Sequence, residues 1–514
     1  MAQTNIRAYD ADSRYPEFLG LSQYGDDINT DQRYSPDAVN VDTPGGVLQP
    51  FARNIVFVPT LEYPIESLMH LYKRWPADDE DRDLLVAASH GKLYSMEVGD
   101  VSWTEVGMPE GITSFQSSVW SWVNYEFNSE ESESPIDVLL ISNSKDGMYM
   151  VSGNPLTAIY VETPWKFGVI ERYAERIWGG AIEDEPDKLA YSRTYDATDW
   201  SEYNPEDLLD QPENASGDIN QPSWDGDSFM ALRSFGSQLI AFKRTRVWRI
   251  MGTDPGEYTF KEQFGGGAPL PNTIAVDAER ILMMSSTGVQ VYDGNTVAPF
   301  RQQMACKIWN RLNPDALDQA VACLYQQHYF LAVSLVGDDG SSDTCNNAVM
   351  IYNATDDTWL LRTGIYVESW LPTENHLYYT TGKQPGQVCE YRMNAWNDQT
   401  ADEQSSKWIT PWQDFNYKNM QKGPFDVYFT VELGEHPVDF TFTLQTEKRS
   451  RSKEIRVHPI LDWQKRFNKR ERTMRIAFAG TSAKRFRLII ETKKKSPVWR
   501  LVGGILIKAD IAYD

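Results

Sequence analysis

Carboxylate pairs are the first residues in this chain that could do chemistry. Asp196 and Asp199 stand three apart in YDATDW, and Asp225 and Asp227 stand two apart in WDGD. Two carboxylates flanking a glycosidic bond can divide the roles of general acid and nucleophile or base. With 73 acidic residues in the chain, such pairs arise by chance, and TYDATDW lacks the glycine and the spacing of a sialidase Asp-box. Asp27-Ile-Asn29-Thr-Asp31 opens like a calcium loop, but Gln32 stands where that loop needs Gly and Ala38 where it needs Glu. There is no G-x-S-x-G elbow and no G-x-x-x-x-G-K-[ST] loop. Gly265-Gly266-Gly267 runs into Ala-Pro, which does not open a phosphate-binding helix. Cys306, Cys323, Cys345 and Cys389 form no C-x-x-C pair, and the six His are as scattered. The sequence predicts no enzyme, no cofactor and no metal site.

The elements that would position any site are strands. The 514 residues are 41% apolar and 24% charged, enough for two or three domains with a real core. Trp (17) and Tyr (26) are abundant, which favours sheet. No apolar run approaches the ~18 residues that span a bilayer, so no membrane insertion is expected. The N-terminus MAQTNIRAYDADSRYPEF is polar and acidic, unlike a secretory leader, which predicts synthesis in a cytoplasm. Net charge is −24, but unevenly spread: residues 401–514 hold 22 Lys/Arg against 14 Asp/Glu, net +8, leaving −32 for residues 1–400. Opposite signs in one chain predict two domains that meet different neighbours.

One hairpin unit recurs, an apolar strand, a polar turn and an alternating strand. It is seen in DLLVAASHGKLYSME (Asp83–Glu97), DVLLISNSKDGMYMV (Asp137–Val151), Ala174–Ser192, Ser228–Ile250, Arg280–Tyr292, Ala320–Leu335 and Glu368–Arg392. Seven copies at roughly 40–55-residue spacing predict an all-β, about seven-bladed β-propeller over residues 33–396. Gly91, Gly147, Gly236 and Gly288 fall in the turns, where a tight hairpin needs positive φ. The hairpin pattern Ala38–Phe51 is expected to complete the blade that begins near Glu368 and so close the ring. Residues 1–32 read as an N-terminal arm, 302–320 as the one short helical stretch, and the polar run 397–407 as a linker. Residues 408–514 alternate as a half-buried antiparallel sheet and predict a C-terminal β-sandwich.

Residues 171–294 carry a family likeness. ERYAERIWGG (Glu171–Gly180), DKLAYSRTYDATDWSEY (Asp187–Tyr203), DSFMALRSFGSQLIAFKRTRVWRIMG (Asp227–Gly252) and STGVQVYDG (Ser286–Gly294), with AVNVDTPGGVLQP (Ala38–Pro50) upstream, resemble the virion propellers of bacteriophages. The family is the tail-hub or nozzle protein of short-tailed phages, also called the packaged-DNA stabilisation protein, and the likeness covers roughly residues 33–392. It implies a structural virion protein of the tail, made in the bacterial host, that forms a homo-oligomeric ring of about six copies. Such a ring extends the portal channel, contacts portal or adaptor and tail fibre or tail needle proteins, and passes genomic DNA without tight binding. The alternative is a receptor- or glycan-binding tail component, with or without glycoside hydrolase activity. Partner contact is expected at the basic clusters Lys448, Arg449, Arg451, Lys453; Lys465, Arg466, Lys469, Arg470, Arg472; and Lys493, Lys494, Lys495.

Overall fold

The computed structural model describes residues 9–24, 31–57, 60–73, 82–100, 102–127, 136–207, 210–220, 227–263, 270–337, 340–341, 344–460 and 471–512. Seven antiparallel sheets follow one another along it, the blades, over residues 67–105, 121–161, 169–220, 229–263, 275–299, 321–363 and 369–391. The first strand of each blade lies beside the first strand of the next, and Ser369–Pro372 lies beside Ser67–Lys73, so the ring closes. Alternation of side chains makes this possible. On His328–Val333, Tyr329 and Leu331 enter the core shared with blade five, while Phe330 and Ala332 enter the core shared with blade seven. Every blade is treated this way, giving seven inter-blade cores. Hydroxyls stitch inner strands: Trp120 N donates to Ser67 Oγ (2.9 Å) and Ile170 N to Ser121 Oγ (3.0 Å). The fold is a β-propeller joined to a sandwich.

The ring is closed by a different segment from the one the sequence pattern suggests. Ile55–Val56 pairs with Cys389–Glu390 and supplies the fourth strand of blade seven. The Ala38–Phe51 hairpin forms, with Val41–Asp42 paired to Gln49–Pro50, but as a separate ribbon between the two domains. Its Leu48 bridges to Leu501 and its Val39 to Lys407. Burying Val41 and Leu48, both almost fully covered, contributes about 1.5–3 kcal/mol each. A two-residue strand at the blade edge would gain only about one net hydrogen bond's worth, near 1 kcal/mol. The helical stretch at 302–320 is two 3-10 turns, Gln302–Ala305 and Pro314–Gln319, around one α turn, Cys306–Trp309; another α turn lies at Ala395–Asp398.

The C-terminal unit has eight strands: β1 (Tyr9–Tyr15), β2 (Lys407–Ile409), β3 (Gln421–Leu433), β4 (Val438–Thr446), β5 (Ser450–Val457), β6 (Arg472–Phe478), β7 (Phe486–Thr492) and β8 (Trp499–Ala512). They form two sheets, β1-β8-β3-β6 and β2-β7-β4-β5, facing each other over Val427, Phe429, Phe440, Phe442, Leu488 and Ile507. The first residues of the chain are therefore not an independent arm; β1 is a full edge strand of the sandwich, Tyr9 opposite Ile511 and Tyr15 opposite Ile505. Nor is 397–407 a free linker. Arg362, buried in blade six, donates to Asp402 (2.9 Å) and to the Ala52 carbonyl (2.9 Å). Arg53 pairs with Glu403. The core between blades five and six runs through Phe18, Val41, Leu48 and Trp408 into the sandwich core without a break. A polar composition looked like a linker because its polar groups serve as these staples.

A two-residue bulge at Gly503-Gly504 lets β8 serve both β1 and β3. Both glycines have positive φ, but a Cβ on Gly504 would fall 1.5 Å from the Tyr15 carbonyl oxygen, while one on Gly503 would meet nothing within 4 Å. Gly503→Ala is expected to cost about 1–2 kcal/mol, the left-handed penalty. Gly504→Ala should cost clearly more, because β1 must move. Denaturant unfolding of both variants checks this, and equal costs would contradict the placement of β1.

Candidate functional site

The basic clusters do not converge on one patch. Lys448, Arg449, Arg451 and Lys453 lie on or just before β5, the edge strand across its sheet from β2, and all four are exposed. Arg451 and Lys453 stand opposite Leu444 and Phe442, so they share the core-facing side of the sheet. There they cover the open side of the sandwich: Arg451 donates to the Ala479 carbonyl, Arg449 to the Gly480 carbonyl (2.7 Å), and Lys453 Nζ sits 5.9 Å from the Phe478 ring centre. Arg472 occupies the same side at the start of β6, opposite Val431. Charges placed this way on an edge discourage unplanned strand pairing. Lys465, Arg466, Lys469 and Arg470 lie outside the described residues. Lys493, Lys494 and Lys495 sit in the β7–β8 turn at the junction with the propeller, where Lys493 pairs with Glu454 (3.4 Å) and Lys495 with Glu403 (4.0 Å). Lys495 also lines a junction cleft of about 380 Å³ with Arg53 and His436.

The aspartates of YDATDW serve the chain's own backbone. Asp196 Oδ1 accepts from Thr198 N (2.8 Å), Thr198 Oγ1 (2.7 Å) and Asp199 N (3.2 Å). Asp199 accepts from Ser201 N (2.8 Å) and lies 3.5 Å from Arg193. Asp227 accepts from Thr245 N (3.0 Å), and Asp225 lies outside the described residues. The Asp196 and Asp199 contacts belong to a loop that hangs from blade three, described over residues 192–207 and 210–216. Arg176, fully buried, pins its base by donating to the carbonyls of Ser192 (2.8 Å), Ala215 (2.7 Å) and Glu213. Burial lowers the Arg176 pKa from its ordinary value, and four-way carbonyl contact replaces the lost water. Further out, Arg193 forks onto Asp210 (2.7 Å to each oxygen), which also accepts from Asn204 N (2.7 Å).

A funnel on the propeller axis has no mark in the sequence. It has a volume of about 470 Å³, within the range of small-molecule sites, and residues from all seven blades line it, among them Glu66, Trp122, Glu171, Arg233, Asn272 and Glu368. These residues are some 300 positions apart in the chain, at the starts of inner strands, so no local motif marks them. Glu171 is held 3.9 Å from Arg233 and accepts from the Ser234 N–H. Burial nevertheless dominates and pushes its carboxyl up to about 6; burial also raises Glu368. Among the described residues no cluster of His, Cys, Asp or Glu is arranged to hold a metal ion.

Two outcomes follow from this geometry. In the unfolded chain Glu171 ionises near its ordinary value of 4.5, so the folded protein holds the extra proton between 4.5 and about 6. Its contribution to stability is therefore present at low pH and falls as pH rises through that window. Glu171→Gln should raise the melting temperature at pH 7 and leave it unchanged at pH 4; an equal effect at both pH values would contradict the burial argument. Arg176→Met should speed amide hydrogen exchange across residues 193–216 by tenfold or more, since about 1.4 kcal/mol of lost local stability suffices, with the blade cores unaffected. Unchanged exchange there would show that the loop is held by something else.

No protein-family model matches the chain, and no curated protein matches it. Solved structures resemble it in shape, among them these two. The WD40 domain of Pan2 from Neurospora crassa has a TM-score of 0.36 at 10% identity, covering 66% of this chain and 98% of that one. KlHsv2, with its loop 6CD replaced by a Gly-Ser linker, has a TM-score of 0.27 at 10% identity, covering 59% and 99%. At these scores the fold rests on the chain's own strand order and ring closure.

Proposed function

We propose that the chain is a structural subunit of a short-tailed phage virion, of the tail-hub or nozzle kind, working by shape, charge and assembly. One observation carries this reading: an acidic propeller and a basic sandwich are joined through one continuous core into a single body with oppositely charged parts. Such a body is suited to joining copies of itself, basic surface to acidic neighbour, into a closed ring. The likeness of residues 33–392 to the tail-hub family supports a ring of about six copies beside the portal. A 470 Å³ funnel is sized for a small molecule, so the genome would pass through the middle of the ring of copies and not along a propeller axis. The acidic surface bordering that path repels phosphates, which spares a moving genome the contacts that counterion release would strengthen.

The funnel supports a second reading, a glycan-binding tail component, because Glu171, Glu368 and Arg233 offer both acceptors and a donor around a sugar-sized space. Locating the protein in an intact particle separates the two. Cryo-electron microscopy is expected to place a ring of about six copies against the portal. A trimer at the particle's periphery would favour the second reading, and a single copy per tail would end the first.

A further inference from the structure

Resting on that assembly reading, we propose that neighbouring copies join head to tail, the acidic loop 202–213 on blade three of one copy seated on the basic edge strand β5 of the next copy's sandwich. The occupant of this edge is a second copy of the chain, and four features of the molecule point to it.

The two surfaces lie at opposite ends of one subunit. The sandwich meets the propeller at blade six: Asn40 N donates to the Leu361 carbonyl, Arg362 reaches Asp402, and Gly20–Leu21 pairs with the outer strand of that blade. Blade three is three places round a seven-membered ring, close to the far side. Within the sandwich, β1 and β2 are the edges nearest the propeller, and β5 is the opposite edge of the β2-β7-β4-β5 sheet. A head-to-tail contact needs its two patches at the two ends of the subunit, and a closed ring results if the rotation between copies divides a full turn.

The charges are complementary and uncommitted. Among the described residues no carboxylate pairs with Lys448, Arg449, Arg451 or Lys453; Arg449 donates to the Gly480 carbonyl, and Arg451 to the Ala479 carbonyl and the Thr481 hydroxyl. On the loop, Glu202, Glu206 and Glu213 are exposed, and no basic side chain pairs with them among the described residues.

The described parts of the loop, residues 202–207 and 210–213, are held in shape by the chain itself. Arg176 fixes its base and the Arg193–Asp210 fork fixes its middle, while Glu206 N donates to Asn204 Oδ1 (3.0 Å) and Asp210 N to the Asp207 carbonyl (3.1 Å). A surface already held in shape loses little entropy on docking. Finally, β5 is eight residues long, and among the described residues no strand pairs with its outer side. Such an edge accepts another chain unless charge selects against it, and here the cations select an acidic partner over copies of the same edge.

The test is a charge swap in the full-length protein. Wild type is expected to form oligomers at low salt that dissociate as salt rises. The variants Arg451→Glu/Lys453→Glu and Glu202→Lys/Glu206→Lys should each weaken self-association about tenfold or more, with the circular dichroism of the folded protein retained in both and the melting temperature unchanged in the loop variant. Mixed in equal amounts, the two variants should recover association, since each supplies the surface that complements the other. If wild type oligomerises and either variant does so equally well, or if the mixture shows no recovery, this contact is wrong while the assembly reading stands. A wild-type chain that stays monomeric at low salt, together with a particle lacking a ring, would sink both.

Discussion

Each four-stranded sheet of the ring is apolar on both faces, so none of them can stand unless a neighbour covers each side. That requirement organises the molecule. Seven sheets satisfy it only by closing on themselves, and the last gap is filled by Ile55–Val56, a short exposed strand borrowed from the N-terminal side. The segment before it cannot drift, because Val41 and Leu48 are already sunk in the core that blades five and six share with the sandwich. The very first strand, β1, then completes the sandwich sheet. Chain ends that are distant in sequence thereby tie each domain to the other, and the sandwich becomes a fixed outgrowth of blade six.

Buried cations do much of this fixing, each in its own way. Among the described residues no carboxylate contacts Arg176 or Lys422; they gather backbone carbonyls, Lys422 those of Tyr417, Met420 and Lys484. Arg362 instead takes Asp402 and stacks near Phe51 and Tyr391. A buried charge without its partners would cost several kcal/mol, so these contacts hold their loops in one arrangement. The exposed cations of β5 differ in kind, since water and backbone oxygens leave their charge available to another molecule.

Strand type, hairpin recurrence and the division into a propeller and a sandwich were legible in the sequence because period-two alternation and turn glycines are local signals. Gly91 illustrates this: its φ is +74° and a Cβ there would meet the Phe115 carbonyl. The frame of the repeat was not legible. The recurring unit is the middle pair of strands in blades one, two, three and five, the first pair in blade six, and the first three strands in blades four and seven, since neighbouring strands show the same alternation. The closing strand was misassigned because two residues of strand carry no pattern, whereas the hairpin before them carries a strong one. The basic clusters could be named as charges, but only the sheet order separates β5 at the outer edge from Lys493–Lys495 at the junction. The funnel was invisible, as its residues meet only after the ring closes.

The propeller and sandwich must be one body, since fixed, oppositely charged ends are what an assembling ring requires. Differential scanning calorimetry of the purified chain tests that most directly. A shared core predicts a single cooperative transition whose calorimetric and van't Hoff enthalpies agree for a protein of this size. Two separate transitions, with the sandwich melting while the propeller persists, would show that the two domains are merely adjacent and would contradict it.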